Sequence, residues 1–169
     1  MKKIFSVLFI SILSLVLFGC NASIEEEITQ TKDQMTTLSQ SEPSEPNKSN
    51  EQFSYFLPDN MTIEDDESLN NIVFIEGKQH YILFVNPQED VKSKVLYEDI
   101  KKSNGDNIID ETIESDEDFT YTVVNQTEDK SYEVTVGVGG VKMTTVTKAN
   151  AISESAEKML NIVKSVSVK

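Results

Sequence analysis

The chain has no tryptophan, one cysteine and one histidine in 169 residues, with only 6 glycines and 4 prolines. A single thiol excludes a disulfide framework within the chain and a cysteine-rich metal site. A single histidine, His80, excludes the His-rich zinc centres. Positive charge is scarce as well: 15 Lys and Arg stand against 29 Asp and Glu, a formal net charge of −14. A surface of that sign repels a phosphate backbone, which argues against DNA or RNA as a partner and against polybasic docking on anionic lipid. It suits cationic peptides, metal ions, or simply solubility at a cell surface.

The one cysteine stands between an apolar run and an acidic one, in Leu17-Phe18-Gly19-Cys20. Before it, Met1-Lys2-Lys3 is followed by Ile4 to Phe18, broken only by Ser6, Ser11 and Ser14. That is a charged n-region and an apolar h-region of signal-peptide length. It is short of the ~20 residues that a permanent spanning helix needs. Leu17, Gly19 and Cys20 resemble the lipobox of bacterial lipoproteins, with Phe18 bulkier than the usual residue. In that family the thiol is acylated and the chain is cut before it. The resemblance implies that residues 1–19 are removed and that Cys20 carries lipid. It places the protein at the cell membrane, lipid-anchored on the extracytoplasmic face; a Gram-positive bacterium is the expected source, an expectation that the lipobox itself does not carry. Loss of Lys2 and Lys3 makes the remaining chain still more acidic.

Residues 20–51 read as a lipid-anchored flexible tether. Ile24, Ile28, Met35 and Leu38 form only a weak helical stripe, enough for a short or transient helix. Ser41 to Asn50 holds Pro43 and Pro46 and no large apolar residue, too little to offset the entropy of ordering.

Residues 52–169 read as a compact domain. Phe53, Tyr55 and Leu57 alternate on a first strand. Two apolar runs around Glu76-Gly77-Lys78-Gln79 predict a hairpin of central strands. Asn86, Pro87 and Glu89 open a predicted helix with Val91, Val95, Leu96 and Ile100 as its buried stripe, ended by Gly105. Strands follow near Ile108–Ile113, Phe119–Val124, Tyr132–Val138 and Val141–Thr147, the last two joined at Gly139-Gly140. Ile152, Ala156, Met159, Leu160 and Val163 mark an amphipathic closing helix. The expected fold class is α+β: a largely antiparallel sheet of six or seven strands, one face covered by the middle helix and the C-terminal helix.

"FSYFLPDNMTIED" from Phe53 and "AEKMLNIVKSVSV" from Ala156 resemble the opening and the closing helix of the Mog1/PsbP-like family. The closing phrase is Ile162-Val163-Lys164-Ser165. Met61 stands where that family often has tryptophan. The resemblance implies binding or assembly rather than catalysis, and it transfers no active-site residue.

Residues with chemical potential are few. His80 needs a carboxylate or nucleophile brought near by the fold to act in acid–base chemistry. Acids cluster at Asp59, Glu64, Asp65, Asp66 and Glu67, and again at Asp106, Asp110, Glu111, Glu114, Asp116, Glu117 and Asp118. The second run offers Asp116, Glu117 and Asp118 as calcium candidates, although its spacing departs from the EF-hand pattern. Gly137 to Gly140 lacks the Lys-Ser or Lys-Thr of a phosphate loop and reads as hairpin chemistry. No catalytic, cofactor-binding or definite metal residue is expected. The expected function is an anchored accessory or binding lipoprotein, with an envelope protein or cell-wall component, cationic in character, as partner. The alternatives are a structural or assembly subunit of an envelope complex and, remotely, a small hydrolase built on His80 and nearby acids.

Overall fold

A computed structural model describes residues 23–66, 68–103, 105, 107–127 and 129–169. The lipobox-like stretch, Cys20 included, lies outside the described residues. Helix α1 spans Ile24–Ser39. Short strands β1 (Lys48–Ser49) and β2 (Phe53–Tyr55) follow, then β3 (Thr62–Asp65), β4 (Asn71–Glu76) and β5 (Gln79–Val85). Helix α2 spans Val95–Ser103. Strands β6 (Ile109–Glu114), β7 (Phe119–Gln126), β8 (Tyr132–Val138) and β9 (Val141–Thr147) precede α3 (Ile152–Lys164) and β10 (Ser167–Val168).

The fold is α+β. Seven strands form one antiparallel sheet in the order β3-β4-β5-β9-β8-β7-β6, and β1-β2-β10 form a small second sheet. The alternation seen in the sequence sets the faces. On β8, Val134 and Val136 are fully buried on one side, and cross-strand Val124, Met143 and Leu83 continue that layer. The β4–β5 hairpin turns at Gly77-Lys78, with Glu76 opposite Gln79. Gly139 has φ +53, and a Cβ there would stand 2.1 Å from the Asp90 carbonyl oxygen, so the β8–β9 turn needs glycine on both counts. Both edges of the large sheet are short acidic strands, with Glu64 and Asp65 on β3 and Asp110, Glu111 and Glu114 on β6.

The core layer is covered by α3, by α1 and, over Phe74, by the small sheet, where Tyr55 and Phe74 rings lie 5.6 Å apart. Helix α3 buries Ile152, Ala156, Met159, Leu160 and Val163, the stripe expected from the sequence. The segment read as tether is corrected here over residues 24–39. Met35 is 1% exposed in the main core and Thr31 is fully buried, so α1 belongs to the folded body. A capping box starts it: Ser23 Oγ accepts from the Glu26 N–H, and the Glu26 carboxylate accepts from the Ser23 N–H. Lys32 pairs with Glu111 on β6, which ties α1 to the sheet as well. Residues 47–50 also lie in the fold, because Asn47 both donates to and accepts from the Leu57 backbone.

The helix cover is distributed differently from the expectation. The C-terminal helix lies on the core face with α1 beside it, and the middle helix α2 lies on the opposite face. That helix also begins at Val95, not at Pro87. The preceding backbone is committed to the end of the sheet: the Asn86 N–H donates to Gly140 O, Gly140 N–H to Asp90 O and Phe119 N–H to Val91 O. Val91 and Val95 are exposed as a result.

Candidate functional site: a groove beside the middle helix

Along β7, Phe119, Tyr121 and Val123 face away from α3. On β8 the residues of that face are Glu133, Thr135 and Gly137; on β9 they are Lys142, Thr144 and Val146; on β5 they are His80, Ile82 and Phe84. Helix α2 covers only the β6–β7 side of this face. It has no buried residue of its own, so side-chain pins hold it. The Tyr97 hydroxyl donates to Asp110 Oδ1 at 2.8 Å, and Lys101 Nζ lies 2.9 Å from Asp110 Oδ2. The Tyr97 ring meets Phe119 edge-on at 5.5 Å and Tyr121 at 5.6 Å. Tyr121 in turn lies across Gly137, where a Cβ would meet its ring carbon at 2.1 Å.

These contacts shift the ionisations in coherent directions. Burial works to raise the Asp110 carboxyl, but the hydrogen bonds from Lys101 and Tyr97 outweigh it and hold the group below the usual carboxylate range. Burial first, and then the Asp110 carboxylate, raise Tyr97. The Asp110 hydrogen bond raises Lys101. Burial alone pushes Tyr121 up, so its hydroxyl stays protonated.

The other side of α2 turns Leu96 and Ile100 over the uncovered strands. Between them and Ile82, Phe84, Thr144 and Lys142 runs a groove of about 570 Å³. That volume suits a small ligand, since ligand sites typically measure ~300–1,000 Å³. Ile82 and Val146 stay about half exposed on this face. Periodicity could not reveal the groove. It exists because α2 starts late and stops short of half the sheet.

The residues singled out in the sequence are dispersed. His80 Nε2 lies 3.0 Å from Glu64 Oε2, and both side chains are about half exposed. Asp110 holds α2, Glu111 pairs with Lys32, and Glu114 pairs with Lys94 at 2.8 Å. Asp116, Glu117 and Asp118 form the β6–β7 turn, where Ser115 Oγ accepts the N–H groups of Glu117 and Asp118. Among the described residues no group of three or more His, Cys, Asp or Glu side chains could hold a metal ion, so the calcium candidates form no site there. Glu67 and Asp106 lie outside the described residues. On the core side, Lys158 pairs with Glu76 beside the Tyr81 ring and locks α3 to the β4–β5 hairpin. Burial works to lower the Lys158 ammonium, and Glu76 outweighs it. No described helix is long and apolar enough to cross a membrane.

Compared with known proteins, the chain matches no family model, and no curated protein is similar enough to count as a relative.

Proposed function

We propose that this chain is an extracytoplasmic lipoprotein whose folded domain binds a ligand or partner in the groove beside α2, without catalysis. The observation that carries the reading is the half-covered sheet face: a formed concavity with apolar walls and a few polar groups, the usual character of a binding site. Leu17-Phe18-Gly19-Cys20 supports lipid attachment at Cys20, and the resemblance to the Mog1/PsbP-like family agrees with binding. The acidic edges and turns steer positively charged partners toward the domain.

Docking of α1 changes what the anchor does. Ile24, the first helical residue, is four positions after Cys20. A lipid on Cys20 therefore holds the domain close to the bilayer, not at the end of a long spacer. Anchoring at short range raises the effective concentration for a membrane-side partner.

The test is a photocrosslinking residue at Ile82 in intact cells, compared with one in the Asp116–Asp118 turn. A specific adduct at Ile82 is expected. Adducts confined to the acidic turn favour an assembly role through that turn, and they overturn the groove. For the anchor, intact mass of membrane-extracted protein should show an acylated chain starting at Cys20, and Cys20→Ala should leave the membrane fraction or persist uncleaved. The His80–Glu64 contact gives the hydrolase alternative its one support. A hydrolytic activity lost in His80→Ala would replace the binding reading.

A further inference from the structure

Three charged side chains line the groove: Asp99 on α2, which is held by Lys102 at 3.1 Å, and Lys142 and Glu133 on the sheet, with a hydroxyl pair between the latter two. Lys142 lines it from β9 with its ammonium 5.8 Å from the centre of the Phe84 ring, and it has no ion-pair partner among the described residues. Glu133 lines it from β8, and its carboxylate has neither an ion pair nor a hydrogen bond among the described residues. The register sets their separation. Glu133 is opposite Val146 and Gly137 is opposite Lys142, so the two charges are four residues apart along the strands. At ~3.3 Å per residue that is about 13 Å. Midway, Thr135 faces Thr144, and their hydroxyl oxygens are 3.0 Å apart. Such a pair shares one proton internally and keeps the other to offer. Ile82 on the sheet and Ile100 on α2 form apolar walls beside this polar line.

On the reading of the groove as a binding site, we infer that its ligand is a short, free-ended peptide of about four small or apolar residues, lying extended with its carboxylate on Lys142 and its ammonium on Glu133. An extended chain covers ~3.3–3.6 Å per residue, so four residues match the ~13 Å between the charges. One peptide group falls over the Thr135–Thr144 pair, which can hydrogen-bond it. Side chains of the peptide rest on Ile82 and Ile100. The same features reject other occupants. A fatty acid would satisfy Lys142 but would bury the Glu133 carboxylate against methylenes without a partner. A nucleotide would set its phosphates against an acidic domain with one lysine in the groove. The opposite end charges also fix the direction of the bound peptide.

The experiment is isothermal calorimetry on the full chain in lipid nanodiscs, with empty discs as the blank. The probes are the tetrapeptide Ala-Val-Ala-Leu with free ends, its C-amidated and N-acetylated forms, and decanoate. The free-ended peptide should bind, and either block should weaken it at least about tenfold, the effect of losing a charge-assisted hydrogen bond. Amidation should matter less than about twofold in Lys142→Met, and acetylation less than about twofold in Glu133→Gln, because each variant has already lost the matching contact. Both substitutions are at the groove surface, and unchanged unfolding midpoints would show that the variants fold. Equal binding of free and blocked peptides, preference for decanoate, or no binding of any probe overturns this ligand class. An Ile82 adduct in cells without peptide affinity would keep the binding reading and remove only the peptide.

Discussion

Glu27 of α1 accepts the backbone N–H of Ser153 in α3 at 3.1 Å, so one helix supplies the N-terminal cap that the other lacks. The exchange is reciprocal. At the far end of the pair, Lys164 of α3 donates to the carbonyl oxygens of Leu38 at 2.8 Å and Ser39 at 2.7 Å, closing the C-terminus of α1. The two helices therefore run parallel, with a carboxylate at one positive helix end and an ammonium at one negative end. Both placements favour the helix dipoles.

Removal of the Glu27 cap should loosen this pair. Glu27→Ala should cost about 1–2 kcal/mol, in the range of a lost N-cap with its charge. Urea unfolding with amide exchange in α1 is the measurement. Glu27→Gln, which keeps an acceptor, should lose less. A loss within about 0.5 kcal/mol, the scatter of ordinary surface changes, would show that α1 does not depend on this contact.

This docked helix is also where the sequence misleads. Its apolar stripe is interrupted because Thr31 and Glu27 fill buried positions that hydrophobic residues usually occupy. Thr31 satisfies itself within the helix by donating to Glu27 O at 2.7 Å, and Glu27 is satisfied across the interface. Counting apolar residues misses both. The legible signal was the Ser23-x-x-Glu26 capping box, which marks a helix start without reference to hydrophobicity. The strands and α3 were readable because their alternation and their stripe are made of Val, Ile, Leu, Met and aromatics. The groove was not, because its boundary depends on backbone hydrogen bonds between residues 86–91 and the distant β8–β9 turn.

In the anchored form, the short path from Cys20 to Ile24 limits the height of the domain. Four residues cover at most about 14 Å, whereas a flexible spacer of about 30 residues would average about 30 Å. Energy transfer from a dye at Glu154, an exposed position near the start of α3, to a lipid-head dye should report the shorter distance. A donor that stands as far off as the long spacer allows would mean that α1 detaches on the membrane.

Acid should weaken the seat of α2. Asp110 binds its proton less tightly folded than unfolded, so the stability it contributes is present above the ordinary value of 3.8 and is lost as pH falls through the lower folded value. Asp110→Asn should lower stability at neutral pH and flatten its decline below about pH 4. Urea midpoints across pH 2–7 in both proteins are the check, and parallel curves would mean that Asp110 is not the pin. Tyr97→Ala should raise amide exchange in Val95–Ser103 with little change in α3.

Gly137 is a packing requirement of Tyr121. Gly137→Ala should cost roughly 1–3 kcal/mol, as overpacking does, because the added carbon collides with the ring. In a Tyr121→Val background the same change should cost far less. An equal cost in both backgrounds, read from urea unfolding, would assign the effect to the backbone and not to the ring.

The acidic edge strands have a consequence for crowding. Proteins fixed to one leaflet diffuse in two dimensions and meet edge to edge far more often than they would free in solution. A bare sheet edge in that setting is an invitation to add a neighbour's strand. Here such a meeting at β3 brings Glu64 and Asp65 toward the same residues of another copy, whereas on β6 Asp110, Glu111 and Glu114 each hold a lysine, so that edge presents paired charge. If Cys20 carries lipid as proposed, the charge on β3 works against strand pairing between neighbouring copies, and high ionic strength is the condition under which that protection would fade first.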